Sequence, residues 1–129
     1  MNVKIIVCAS SKYYSVLLIA GDHQKKLKGP IKEAAELENA LKSAIKAIKR
    51  LKYPVDIELI TNHEAFSQVF DLGRPKMQNK AFVQDNIELW QELIRLIKQH
   101  NSFSHKLKDS NRQDLTLFNE LYRDCVYRR

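Results

Sequence analysis

Val55-Asp56-Ile57-Glu58-Leu59-Ile60-Thr61-Asn62 is the stretch whose reading decides the fold. It reads as a strand, and a long helix from about Glu33 to Lys52 runs straight into it through Tyr53-Pro54. Proline restricts the residue before it to extended geometry, so the helix ends there and the strand follows at once. The helix has a clear 3.6-residue period. Leu37, Leu41, Ala44, Ile48 and Leu51 share one face with Ile45 beside them, and Lys42, Lys46 and Lys49 lie opposite. Glu33 and Glu36 near its start and Lys49, Arg50 and Lys52 near its end complement the helix dipole.

Working outward, Val3 to Ser10 is apolar at nearly every position, as a central strand covered on both faces would be. Tyr13 to Ala20 is rich in aromatic and β-branched residues and predicts a second strand. Gly21-Asp22 signals a two-residue hairpin turn into a more polar third strand around Gln24 to Lys28, which Gly29-Pro30 ends. Beyond Asn62, His63 to Phe70 predicts a short helix and Leu72-Gly73-Arg74-Pro75 a loop. A deeply packed helix is expected from Gln84 to His100, because Ile87, Leu89, Trp90, Leu93, Ile94, Leu96 and Ile97 cover about half its circumference. Ser102 to Leu107 predicts a fifth strand, and Ser110-Asn111 precedes a last helix carrying Leu115, Phe118, Leu121, Tyr122 and Cys125. The order β-β-β-α-β-α-α-β-α implies one α/β domain over residues 1–129. Its five-stranded mixed sheet has three antiparallel strands, then two parallel ones, with helices on both faces.

Composition narrows the setting. The chain has 129 residues, 44% hydrophobic and 29% charged, enough to bury a core unaided. Cys8 and Cys125 give no disulfide framework and read as buried reduced thiols of a cytoplasmic protein. No apolar run approaches the roughly 20 residues of a membrane span. Net charge is +7 and uneven: residues 1–30 hold five Lys against one Asp, whereas 55–101 hold five basic residues against seven acidic ones. A basic half of this kind suits a polyanion or a solvated surface.

The element order and three local matches resemble the ribonuclease H family over essentially the whole chain. Thr61-Asn62-His63 stands where the family's strand ends in Thr-Asp-Ser. Asn86-Ile87-Glu88-Leu89-Trp90 is similar to the family's Asn-x-Asp-Leu-Trp, and Ser43 to Leu51 looks like its first helix. The resemblance implies two-metal hydrolysis of the RNA strand of an RNA–DNA hybrid, with four converging carboxylates holding Mg²⁺. Carried over singly, those four positions fall on Cys8, Ala40, Asn62 and, if Asn111 matches the family's Asn, Leu115. All are neutral. Lys108-Asp109-Ser110 replaces the family's Gly-His loop.

The expectation is therefore a degenerate member, a pseudoenzyme without cofactor or metal. Its function is binding or interaction, with a nucleic acid (duplex or hybrid) or a protein as partner. Candidate phosphate contacts are Lys12, Lys25, Lys26 and Lys28 on the hairpin region, and Arg74, Lys76 and Lys80 before the Trp90 helix. The alternative is a divergent metal-dependent ribonuclease with a displaced acidic site built from Glu36, Glu64 or Asp114, the one case that would require Mg²⁺. No Cys/His cluster suits zinc and no glycine-rich loop suits phosphate. Trp90 is expected in the core, and alternation is expected to send one of Tyr13 and Tyr14 outward.

Overall fold

A computed structural model describes residues 1–70 and 80–126. Its elements are β1 (Asn2–Ala9), β2 (Tyr13–Ala20), β3 (His23–Pro30), α1 (Glu36–Ile48), β4 (Asp56–Thr61), α2 (Glu64–Val69), α3 (Ala81–Gln84), α4 (Ile87–Ile97), β5 (Ser102–Leu107) and α5 (Arg112–Val126). The strands form one sheet in the order β3-β2-β1-β4-β5. β1 pairs antiparallel with β2, and β2 with β3; β1 and β4 are parallel, as are β4 and β5. This is the mixed sheet expected from the Val55 to Asn62 strand and the helix that feeds it. Gly21 has φ +60, a backbone state that suits glycine in the hairpin turn.

Strand alternation divides the side chains into two layers. Val3, Ile5, Val7, Tyr14, Val16, Leu18, Ile57, Leu59 and Phe103 face α1, α2 and α4, and Phe66, Trp90 and Leu93 complete that layer. Ile6, Cys8, Tyr13, Leu17 and Ile60 face α5, which supplies Phe118, Leu121 and Cys125. Both layers are apolar where a helix covers them, at roughly 1.5–3 kcal/mol for each large aliphatic or aromatic side chain buried. Tyr13 and Tyr14 are both buried, contrary to the expected outward tyrosine, because β2 is covered on both faces. Trp90 is fully buried, and its indole N–H donates to the Phe82 carbonyl at 3.2 Å.

Two helix boundaries differ from the sequence expectation. α1 is shorter than Glu33 to Lys52: Ala35 caps it, and Arg50 and Leu51 turn back with tighter bonds to Ala47 and Ile48. The helix expected from Gln84 begins instead at Ile87. Residues 81–84 form a separate turn, and Asn86 takes a non-helical conformation with its side-chain amide donating to the Phe82 carbonyl. No described helix is long and apolar enough to cross a membrane.

Candidate functional site

The C-terminal ends of β1 and β4 meet beneath the start of α1, and local hydrogen bonds set their course. Ser10 Oγ accepts from the Tyr13 N–H at 3.1 Å, tightening the turn into β2. Asn39, fully buried on α1, donates its amide to the Ser10 and Ser11 carbonyls at 3.0 Å each. Its Oδ1 is buried without a partner among the described residues. At the end of β4, Thr61 Oγ1 accepts from the His63 N–H at 3.0 Å.

The four positions matched to the family's carboxylates have different surroundings. Cys8 is 2% exposed in the α5 layer, and Ala40 is 1% exposed in the opposite layer. Asn62 is half-buried beyond β4, and Leu115 is half-buried on α5. A thiol is a soft ligand, and methyl and isobutyl groups are none, so these side chains do not match the oxygen preference of Mg²⁺.

Asp114, one of the displaced-site candidates, is committed elsewhere. It is fully buried, accepts from Lys4 Nζ at 2.7 Å and from the Asn111 side-chain amide at 2.7 Å, and its own N–H donates to Asn111 Oδ1 at 2.8 Å. Asn111 thus caps the start of α5 and ties its side-chain amide to the Asp114 carboxylate, and a lysine from β1 closes the arrangement. The hydrogen bond to Asp114 raises the Lys4 pKa against the opposing effect of burial. Glu64 is exposed on the first turn of α2. Glu36 is the carboxylate whose charge reaches Cys8, Cys125 and His63. Asp124 also acts on both thiols, but it pairs with Lys26 at 3.2 Å. Among the described residues, no group of three or more His, Cys, Asp or Glu side chains is arranged to hold a metal ion.

The sequence reading did not single out the network beside Asn62. His105 Nε2 lies 2.8 Å from Thr61 Oγ1, its Nδ1 lies 2.7 Å from Ser67 Oγ, and its ring stacks on Phe66 at 5.3 Å. One imidazole on β5 thus ties the end of β4 to α2. Burial, and secondarily the His63 charge, lowers the His105 pKa to about 4. Burial also lowers that of His63, against the attraction of Glu36. His63 Nε2 is buried without a partner among the described residues. The only sequence signal for this network was the placement of polar Thr61 and His105 on adjacent strands.

Among the described residues the candidate basic contacts are divided between the two faces of the sheet. Register places Lys26 and Lys28 opposite Leu17 and Ser15, on the α5 side, whereas Lys25 sits opposite Leu18 on the α1 side. Lys12 is exposed in the β1–β2 turn, and Lys80 donates to Gln68 Oε1 at 3.2 Å. Arg74 and Lys76 lie outside the described residues. A concavity of about 430 Å³ lies at the opposite strand ends, lined by Lys4, Asp56, Glu58 and Ser104. Within it Glu58 is held by Lys4 at 3.6 Å and by Lys106 at 3.2 Å, and Asp56 accepts from Ser102 Oγ at 2.7 Å.

The sheet order and the helix layers define a ribonuclease H fold. The ribonuclease H1 of the halophilic archaeon Halobacterium salinarum superposes with a TM-score of 0.70 at 16% identity, covering 98% of each chain. An N-terminal ribonuclease H domain from Mycobacterium tuberculosis gives 0.63 at 16% identity, covering 95% of this chain and 98% of that one. In sequence, the chain is 32% identical over 95 residues to ribonuclease H of Acetivibrio thermocellus, covering 67% of this chain and 64% of that relative. It is 26% identical over 102 residues to ribonuclease H of Prosthecochloris aestuarii, covering 74% of this chain and 70% of that relative. No family model matches. The chain thus has the ribonuclease H fold and is similar in sequence to these ribonucleases H, and it spans 64% of the length of the Acetivibrio relative.

Proposed function

We propose that the chain is a single ribonuclease H-like domain that binds nucleic acid, duplex or RNA–DNA hybrid, without cleaving it. One observation carries this reading. The positions matched to the family's four carboxylates hold Cys8, Ala40, Asn62 and Leu115, and the first two are packed into opposite cores. Two divalent ions about 4 Å apart repel strongly, and three apolar or soft side chains and one amide do not offset that. The basic groups at Lys12, Lys25, Lys28 and Lys80 are exposed and suit phosphate contact, with Lys26 already engaged by Asp124. Two unpaired thiols fit a reducing, cytoplasmic setting.

The test is hybrid and duplex binding by fluorescence anisotropy, with a cleavage assay on the same hybrid in Mg²⁺ and in Mn²⁺. Binding that weakens roughly 40-fold between 50 and 200 mM salt, for about three phosphate contacts, with no cleavage, is the expected result. Absence of binding even at low salt removes the nucleic-acid partner and leaves a protein partner.

The second reading is a ribonuclease with a displaced acidic site, for which Glu36, exposed on the first turn of α1, is the test position. Metal-dependent cleavage that is lost on Glu36→Gln would establish that reading and overturn the first.

A further inference from the structure

Cys8 and Cys125, the two cysteines of the chain, come together beneath α5. Cys8 is the penultimate residue of β1 and Cys125 lies on the last turn of α5; they are 2% and 6% exposed. The Cys125 thiol donates to the Cys8 carbonyl at 3.3 Å, a buried contact that brings the Cys125 sulfur against the residue that carries the other thiol. Neither is joined in a disulfide. Core packing explains one buried cysteine; two that touch across a separation of 117 residues are also a preassembled dithiol. We infer that Cys8 and Cys125 form a redox pair, and that oxidation joins them in an intramolecular disulfide pinning α5 to β1. This goes beyond the binding reading and stands independently of it.

The oxidant is a small-molecule disulfide of the glutathione class. Cys125 is the more exposed thiol and lies on a helix-terminal turn, where local opening costs least. The neighbouring thiol and burial hold the Cys8 proton more tightly, which also makes Cys125 the first to attack. Cys125 loses its proton and attacks one sulfur of the oxidant, displacing one thiolate and forming a mixed disulfide. Cys8 then loses its proton and attacks the Cys125 sulfur, displacing the second thiolate. Two protons end on two small thiols, and two electrons pass to the oxidant. The product closes a loop that spans nearly the whole chain, where cross-links restrict the unfolded state most.

The test is incubation of the full folded chain with excess oxidised glutathione, followed by intact mass, thiol titration in denaturant, peptide mapping and thermal unfolding. The inference expects a mass loss of about 2 Da and no titratable thiol. It also expects a mapped Cys8–Cys125 cross-link and a midpoint raised by roughly 10 °C that dithiothreitol reverses. Cys125→Ser is expected to show neither the cross-link nor the shift. Retention of both thiols, a single glutathione adduct that does not close, or a disulfide-linked dimer would each overturn the inference; all three are read on the wild-type chain, whatever the variant's stability.

Discussion

His105 and Asp114 show how single polar side chains hold this fold, and His105 how one of them sets its response to pH. The folded chain keeps His105 neutral down to about pH 4, whereas an unfolded imidazole protonates near 6.5. Between those values the unfolded state binds the extra proton, so stability rises with pH across that window. It is fully present above about pH 6.5, falls by on the order of 3 kcal/mol toward pH 4, and His63 adds to the loss with the same sign. Urea unfolding from pH 4 to 8 measures this slope, and His105→Gln is expected to flatten it. Asp114→Asn leaves Lys4 facing an amide and weakens the cap of α5. The expected loss is about 2–4 kcal/mol, read as a lower urea midpoint at unchanged denaturant dependence. Asp114 was visible in the sequence as a carboxylate in the right helix. Its partner Lys4 lies 110 residues away, so its commitment to an ion pair was not.

Among the elements, α5 depends most on a small set of contacts. Among the described residues it alone covers the second face, packing on β1 and β2 through Phe118, Leu121 and Cys125. Phe118→Ala is expected to cost about 3–4 kcal/mol by emptying that layer, measured by thermal or urea unfolding. Asn111→Ala, which removes the cap and one donor to the buried Asp114 carboxylate, is expected to cost about 1–2 kcal/mol. The existence and order of the strands and long helices were legible because apolar periodicity records burial directly. The breaks at Asn86 and Lys49 were not. They depend on a side-chain amide reaching Phe82 and on a tightened last turn, and neither changes the apolar pattern.

At the scale of the whole molecule, the basic half of the chain is distributed over both faces of the sheet and not gathered in one patch. Lys28 is exposed and carries no ion pair among the described residues, whereas Lys26 is held by Asp124. If the binding reading holds, Lys28→Glu is expected to weaken hybrid binding and lower the salt slope by about 1, and Lys26→Glu to do so less. Anisotropy titrations at several salt concentrations separate the two. A clustered basic patch was the natural sequence reading, because Lys25, Lys26 and Lys28 are neighbours in the chain. Strand alternation separates them, a geometric fact that no count of lysines contains.

The sequence by itself determined the class of fold, through the helix that feeds Val55 to Asn62 and the doubly apolar first strand. The matching of Cys8, Ala40, Asn62 and Leu115 to the family's acidic positions is likewise a reading of the sequence alone. Side-chain identity and periodicity are local properties and are written residue by residue. Only the tertiary structure decided which distant groups meet: Cys8 with Cys125, Lys4 with Asp114, and His105 with Thr61 and Ser67. Those meetings follow from strand register and from the path of α5 across the sheet, which arise from packing the whole chain at once.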